Sequence, residues 1–247
     1  MIGAGKVATL LAQHLYSAGH EISGVWSRDG EHALGLAVTL GAEGIPDPGG
    51  VPGDADFYLV AVSDGAIPEV ASRFRGYPGT WVHTAGAVPM ETLAGAFGRY
   101  GVLYPLQTFT KGREPSLRET PILVEGSDKQ VCSQISSLAS SISGNVIEAD
   151  SADRLVVHLA AVFANNFSNH MVTVAGRILK ERGYEPSLLD PILRETFQKI
   201  MEMGPERAQT GPAARGDLAT MEKHLQLLKK HPGWEKIYTF ISHDIGK

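Results

Sequence analysis

The hydrophobic pattern of the chain changes near residue 150. Before that point, short apolar runs alternate with segments of helical periodicity, an order typical of a parallel sheet covered by helices. The first helix is predicted from Val7, with Leu10, Leu11 and Leu15 on one face and a stop at Gly19. The strand-like runs comprise residues 20–27, 56–63, 80–86, 101–109, 121–126 and 145–150. Residues 1–149 are therefore predicted to form an α/β domain.

After residue 150 the strand signal disappears. Residues 151–183 contain no proline and are apolar nearly all round, which predicts one long buried helix, partly covered by another subunit. Three further helices are predicted: one that Asp190 caps and Gly204 ends, one over residues 217–230 and one over residues 233–245. Residues 150–247 are therefore predicted to form an all-helical second domain.

The chain opens on a glycine-rich turn. Gly3 permits a tight turn, Gly5 lets backbone amides approach a pyrophosphate, and Ala8 keeps the following helix close to the sheet. This spacing alone also fits an ordinary strand-to-helix turn, but a helix and then a second strand follow it at the expected distances. The fold class is therefore predicted as a doubly wound parallel-sheet Rossmann domain. Its cofactor-binding candidates here are Gly3, Ala4, Gly5, Lys6 and Val7.

Only Met1 and Ile2 precede this turn, although a strand belongs there. In the doubly wound order that strand lies in the middle of the sheet, where an absent strand leaves neighbouring backbone groups unpaired. We therefore expect the native protein to extend upstream of Met1 by about five to ten residues. The opposite possibility is a degenerate sheet without a working cofactor site.

The residues that end the predicted strand at 20–27 indicate which nucleotide binds. An acidic residue there suits the ribose of NAD, whereas Ser27 and Arg28 suit the 2′-phosphate of NADP. Arg28 could instead be a solvated surface residue, and Asp29 beside it blurs the choice, but NADP is favoured. Val62, Ser63 and Asp64 end the next buried strand and are predicted beside the nicotinamide; Asp64 could equally cap the helix that begins near residue 67.

Composition excludes several other partners. The 22 basic and 27 acidic residues give a net charge of −5 without a dense basic run, so neither nucleic acid nor an anionic membrane is an expected partner. A single cysteine, Cys132, cannot form an internal disulfide or a multi-thiolate metal site. No apolar run approaches the length of a membrane span. We expect a cytoplasmic protein that acts on a small molecule and holds no metal.

Hydride transfer to a carbonyl or imine requires a proton donor beside the cofactor. On the long predicted helix, His158, Asn165 and Asn169 lie roughly on one face, and Asn166 and His170 follow the adjacent stripe. His158 is the candidate acid, Asn165 is the candidate that orients the substrate, and Asn169 is a further candidate for substrate binding. The alternative for His158 is a core histidine bonded to a backbone carbonyl, and His170 is more plausibly structural or at a subunit contact.

Several loop residues are weaker candidates. Lys111 could donate a proton or bind an anion, although a solvated loop lysine is the more common case. Gln107 could bind the substrate or close a turn. In the loop after residue 209, Thr210 and Arg215 could hold a substrate carboxylate, whereas Asp217 more plausibly caps the next helix. His83 could line the crevice or pack in the core.

Four segments taken together carry a family resemblance: residues 3–29, 104–109, 158–170 and 210–225. With them the chain resembles a family of Rossmann-like proteins whose helical C-terminal part is domain of unknown function 2520. The resemblance covers essentially the whole chain. It implies an NADP-dependent oxidoreductase and a homodimer formed through the helical domain, without supplying a substrate.

More distant resemblances also fit only in part. The layout is similar to pyrroline-5-carboxylate reductase in the loop at residues 210–220, and to the 6-phosphogluconate and hydroxyacid dehydrogenases in the long helix. In the latter pattern Asn165 matches, but the catalytic lysine position falls on Ala161. Prephenate dehydrogenases place a histidine where Tyr104 stands, before Pro105. Both departures weaken the transfer of those chemistries.

Two functional hypotheses follow. The first is an NADPH-dependent reductase of a small polar carbonyl or imine compound, with a variant in which a deazaflavin exchanges hydride with NADP. The second is a sensor or regulatory protein that binds NADP without catalysis. The fold alone does not decide between them, because function resides in the site.

Overall fold

A computed structural model describes residues 1–110, 112–113 and 115–247 of the chain. The chain forms two compact units, Met1–Asn165 and Asn166–Lys247. The first unit is α/β and the second is all-helical, so the predicted fold class is confirmed. Among the helices that the structure describes, none combines the length and the apolar character that crossing a membrane requires.

The first unit alternates strands and helices along the chain. Its strands are β1 (Gly24–Trp26), β2 (Glu43–Ile45), β3 (Phe57–Val60), β4 (Thr80–His83), β5 (Tyr100–Pro105), β6 (Ile122–Gly126) and β7 (Val146–Glu148). Its helices are α1 (Lys6–Ser17), α2 (Gly30–Leu40), α3 (Ile67–Arg73), α4 (Lys129–Ser140) and α5 (Ser151–Ala161). Strand β2 has no counterpart among the predicted strands.

Residues 1–3 occupy the centre of the sheet. Ile2 forms single parallel bridges with Trp26 of β1 and Val60 of β3. Its amide donates to the Leu59 carbonyl at 2.8 Å, and its carbonyl accepts from the Ala61 amide at 2.8 Å. The strand order is thus β2, β1, residues 1–3, β3, β4, β5, β6, β7. The order reverses at residues 1–3, which is where nucleotides bind in open parallel sheets.

One strand pair departs from the predicted parallel sheet. Strands β5 and β6 are antiparallel, whereas β1–β2, β3–β4, β4–β5 and β6–β7 are parallel. A parallel return requires a crossover, usually a helix, and the described part of the connection between β5 and β6 contains no helix. The sheet is therefore mostly parallel.

The two faces of the sheet bury different side chains. Tyr58 and Val60 of β3 point to the face covered by α3, where the Trp81 ring stacks between Tyr58 at 4.4 Å and Phe97 at 4.2 Å. Leu59, between them in the sequence, packs with α1 and α4 on the opposite face. Helices on both faces make this a doubly wound sheet, as predicted.

The long helix predicted after residue 150 is helical but not uniform. Asp150 caps α5 by accepting the Asp153 amide at 2.8 Å, and a π-helical stretch, Val162–Phe167, follows α5. The wider π turns change the angular spacing on which the predicted shared face depends. The burial expectation is not met within one chain, because Leu155, Val156 and Leu159 are between 49% and 66% exposed. The predicted homodimer stays a prediction.

The second unit consists of helices around a small apolar cavity. The helices are α6 (Ser168–Lys180), α7 (Asp190–Met203), α8 (Pro205–Ala208), α9 (Leu218–Leu228) and α10 (Pro232–Ile245). Asp217 caps α9 by accepting the Thr220 amide at 3.0 Å, which confirms its predicted role as a cap. Helices α6, α9 and α10 line a cavity of about 410 Å³.

His83, the last residue of β4, belongs to the core rather than to an open crevice. Its side chain is fully buried, and its Nδ1 accepts the Ala85 amide at 3.2 Å. Burial, and secondarily the nearby Arg154 guanidinium, lower the pKa of His83 from 6.5 to about 4. The ring is therefore neutral in the folded protein at neutral pH.

His83 should make stability depend on pH. The unfolded chain takes up a proton near pH 6.5 and the folded chain only near pH 4, so stability is lost as the pH falls through this window. This shift corresponds to about 3 kcal/mol of unfolding free energy, at about 1.4 kcal/mol per unit. Urea unfolding at about pH 7 and about pH 4 should show a smaller loss in His83→Asn, whose side-chain oxygen can still accept the Ala85 amide. Equal losses in the two proteins would contradict this assignment.

Candidate functional site

The glycine turn brings the chain unusually close to the end of β3. Gly3 has a φ of +111°, and a Cβ on it would lie 2.3 Å from the Ala61 carbonyl oxygen. Residues with a side chain rarely adopt this conformation, and no side chain fits this contact. Gly3 is therefore required by the turn itself.

Gly5 leaves the start of α1 open. Gly5 is the N-cap residue of α1, no side chain caps the helix there, and a Cβ on Gly5 would meet no atom within 4 Å. The first amides of a helix lack partners within the helix and carry the positive end of its dipole. This terminus is thus suited to bind an anion such as a pyrophosphate.

A groove of about 390 Å³ extends from the glycine turn along the carboxyl ends of β1 and β3. Its lining includes nine of the predicted cofactor-binding residues: Gly3, Ala4, Gly5, Lys6, Val7, Ser27, Arg28, Val62 and Ser63. The tenth, Asp64, lies outside the lining, on an exposed 3-10 turn (Asp64–Ala66). No side chain caps α3, so Asp64 does not act as its cap.

The groove also contains residues that the sequence analysis missed. Trp26 ends β1, and Ala66, Glu69, Val70 and Arg73 follow the turn after β3. These last four residues follow the i, i+3, i+4, i+7 spacing of one helix face at the start of and along α3. The helical pattern of the sequence after Ser63 could therefore have identified them. With them, the groove carries two guanidinium groups, those of Arg28 and Arg73.

A hydrogen-bonded tyrosine and histidine lie at the carboxyl edge of the neighbouring strands. The Tyr104 hydroxyl, near the end of β5, is 2.9 Å from Nδ1 of His158 on α5. Both rings abut Gly86, where a Cβ would lie 2.6 Å from His158 Nδ1 and 2.9 Å from the Tyr104 ring. His158 is half-buried, and its Nδ1 pairs with the Tyr104 side chain rather than with a backbone carbonyl. The sequence analysis did not identify Tyr104 as this partner.

A buried ion pair holds α5 in this position. Arg154, one turn before His158, is 1% exposed and pairs with Glu125 of β6. Its Nη2 donates to the Val88 carbonyl at 2.7 Å and to Ser151 Oγ at 3.1 Å. Glu125 also accepts the Ser151 amide at 3.0 Å and the Ser151 hydroxyl at 2.8 Å. These bonds tie α5 to β6 and to the loop that contains Gly86.

The Tyr104 hydroxyl is held in its neutral form. Burial, and secondarily the negative charge of Asp64, raise the pKa of Tyr104, while the Arg154 guanidinium opposes them. A phenol with a raised pKa stays protonated at neutral pH and can donate a hydrogen bond or a proton. The position of the proton between Tyr104 and His158 depends on the histidine tautomer.

The other predicted residues of the first unit do not join this pair. Lys111 lies outside the described residues. Gln107 accepts the Thr108 amide at 2.8 Å and donates to Thr120 Oγ1 at 3.4 Å, contacts that close the turn after β5. Asn165 lies in the π-helical stretch and is exposed. Its predicted role in orienting a substrate stays a prediction.

Three predicted substrate-binding residues belong to the second unit. Asn169 is exposed on α6, and its carbonyl accepts the Thr173 hydroxyl at 3.0 Å. Thr210 lies at the apolar cavity of this unit, and the Arg215 side chain is exposed before α9. In the described part of the chain, no cluster of three or more histidine, cysteine, aspartate or glutamate residues could hold a metal ion.

Replacing Arg154 by Leu should destabilise the protein by about 3–5 kcal/mol, because the Glu125 carboxylate is left buried without its partner. The double variant Glu125→Leu/Arg154→Leu should cost less than the sum of the two single changes, since it removes both charges. Urea unfolding of the four proteins measures this coupling. Strictly additive costs would show that the pair does not act as a unit.

Two family models match parts of the chain. Residues 120–245 match the family model of domain of unknown function 2520, and residues 1–82 match that of the coenzyme F420-dependent NADP oxidoreductases. No protein of curated function matches the chain in sequence.

Three solved structures resemble the chain over nearly its whole length. BF3122 of Bacteroides fragilis, a provisionally assigned NADP oxidoreductase, is 39% identical, with 99% of this chain and 96% of that chain covered and a TM-score of 0.92. The reductive aminase of Aspergillus terreus, solved with NADPH and ethyl-5-oxohexanoate, is 15% identical, with 98% and 89% covered and a TM-score of 0.72. The imine reductase of Streptomyces aurantiacus is 15% identical, with 99% and 94% covered and a TM-score of 0.63.

The two enzymes at 15% identity are evidence for the fold alone. The family follows from the model that matches half of the chain and from the 39% identity to BF3122. The chain belongs to the family in which an N-terminal domain of the NADP oxidoreductase type precedes the helical domain of unknown function 2520.

Proposed function

We propose that this protein is an NADPH-dependent oxidoreductase that reduces a small polar carbonyl or imine compound. The observation that carries the proposal is the Tyr104–His158 pair at the carboxyl edge of the sheet. The glycine-turn groove lies at the same edge, where residues 1–3 leave the centre of the sheet. A nucleotide groove alone would serve a sensor equally well. A half-buried phenol beside an imidazole adds a candidate proton donor, which a reductase requires.

The residues of the groove fit the parts of NADPH in order. The open start of α1 at Gly5 would hold the pyrophosphate, and Arg28 would neutralise the 2′-phosphate of the adenosine half. Val62 and Ser63 would line the nicotinamide half, at the end of β3 nearest to β4 and β5. When bound there, NADPH would supply a hydride to the substrate.

The Tyr104–His158 pair would supply the proton. When Nδ1 of His158 carries a proton, the Tyr104 hydroxyl accepts it in a hydrogen bond and directs its own proton towards a substrate heteroatom. The raised pKa of Tyr104 keeps that proton in place until negative charge develops on the heteroatom. His158 would then stabilise the tyrosine oxygen and pass on a proton from solvent, since it is half-buried.

The proposed substrate class matches the chemistry named for two proteins that share this fold. The Aspergillus reductive aminase was solved in complex with NADPH and a keto ester, and the Streptomyces enzyme is an imine reductase. Carbonyl and imine reductions share one requirement, a proton for oxygen or nitrogen as hydride reaches carbon. The proposed pair meets that requirement for either heteroatom.

Removing the Arg28 side chain should weaken NADPH binding by about tenfold or more while changing NADH binding little, because only NADPH carries the 2′-phosphate. Fluorescence titration of wild type and Arg28→Ala with both cofactors measures this difference. Arg118→Ala, which removes the same charge from an exposed residue outside the groove, is the control. A wild type that binds NADH more tightly than NADPH would contradict the cofactor assignment.

Tyr104→Phe and His158→Ala should each lower kcat by about a hundredfold or more while NADPH affinity stays near that of wild type, since both residues lie outside the nucleotide groove. The assay is NADPH oxidation with a panel of keto esters, ketones with amines, and cyclic imines. His20→Ala is the matched control. His20 precedes β1, so it lies at the amino edge of the sheet, opposite to the carboxyl edge, and it bonds there to Ser141. Tight NADPH binding without turnover of any compound would favour the sensor.

A further inference from the structure

Arg73 occupies the nucleotide groove without a role in the core. It is the last residue of α3, its side chain is 43% exposed, and it lines the same groove as Arg28. Its guanidinium carbon lies 5.8 Å from the centre of the Trp26 ring. An arginine held over an aromatic ring in a groove has its hydrogen-bond donors available to a ligand.

Trp26 gives Arg73 a fixed platform. The indole is 4% exposed and lies at the end of β1, and the Phe74 ring packs edge-on against it at 5.3 Å. Its position is fixed further because its backbone pairs with residues 1–3 at the centre of the sheet. The Arg73 guanidinium is therefore placed over the end of β1, and Ser27 and Arg28 of the groove follow Trp26 directly in the sequence.

Glu69 is the ion-pair partner of Arg73. Its Oε1 accepts a hydrogen bond from Arg73 Nη2 at 3.1 Å, one helical turn earlier on α3. Both side chains are substantially exposed, and such pairs contribute little free energy. A phosphate dianion can therefore replace the carboxylate as the partner of Arg73 at small cost.

We propose that Arg73 is the second cation of the 2′-phosphate subsite, a specificity-determining residue that acts with Arg28. The inference rests on the proposed function, because it requires that the groove bind NADPH with its adenosine half at β1. In this arrangement Trp26 positions the guanidinium and Glu69 competes with the phosphate for it. Two guanidinium groups match the charge of one phosphate dianion.

The test uses two nucleotides with the 2′-phosphate, NADPH and 2′,5′-ADP, and two without it, NADH and 5′-ADP. Calorimetry should show that Arg73→Ala weakens the first two by about tenfold and the second two by less than about twofold. Arg73→Lys, which keeps the charge but loses the planar fork, should give an intermediate loss. Arg75→Ala is the matched control: it removes the same charge two residues away, where Arg75 bonds to the Gly95 carbonyl outside the groove.

Glu69→Gln tests the competition independently. Releasing Arg73 from the carboxylate should tighten NADPH by about two- to fivefold, the range expected for an exposed ion pair, and leave NADH unchanged. Thermal melting of each variant establishes that it is folded, which is expected because both side chains are exposed.

The outcomes separate this inference from the proposed function. Equal losses for NADPH and NADH in Arg73→Ala would place Arg73 on the adenine and overturn its role in specificity. An unchanged NADPH affinity in Arg73→Ala would overturn the inference as well, while leaving the function in place. A wild type that binds none of the four nucleotides would overturn the proposed function, and the inference with it.

Discussion

The buried ion pair between Arg154 and Glu125 is the contact on which the site depends. It joins the first turns of α5 to the antiparallel strand β6 and to the loop after β4. His158 lies one turn further along α5, so the position of its ring follows from the position of Arg154. A buried pair of this kind adds little net stability over an apolar contact, but it tolerates few other arrangements. Here it fixes one helix register, in which the imidazole meets the Tyr104 hydroxyl.

The topology of the sheet places the glycine-turn groove and the Tyr104–His158 pair at the same edge. Residues 1–3 mark the point where the strand order reverses, and the groove opens there beside Gly3 and Gly5. Strands β3, β4 and β5 are parallel, so their carboxyl ends share one edge. The Tyr104 hydroxyl on β5 and the groove at β1 and β3 are thus placed along one edge.

The fold and the groove could be predicted from the sequence because they rest on local signals. Apolar runs of strand length predict the strands, the glycine spacing predicts the turn, and the arginine after β1 predicts the cofactor. Each of these signals lies within a few consecutive residues. The pair at Tyr104 could not be found in this way, since its partner is 54 residues away and reaches it through α5. The amides at Asn165 and Asn169 were selected on regular helical spacing, which the π-helical stretch between α5 and α6 alters. The antiparallel step at β6 was missed because a strand's direction is set by its connection rather than its composition.

The charges around the site divide into two groups with different tasks. Arg154 and Glu125 are largely removed from solvent, so their positions are fixed. Burial is the main cause of the lowered pKa of His83, and the Arg154 guanidinium adds to it. Arg28, Arg73 and Glu69 line a solvated groove, where a single ion pair is weak and exchanges partners readily. A polyanionic cofactor that binds and leaves in each turnover requires this second kind of charge, whereas the first kind holds α5, and with it His158, in one position. The distribution of buried and exposed charge in this chain therefore fits the two steps of the proposed reduction.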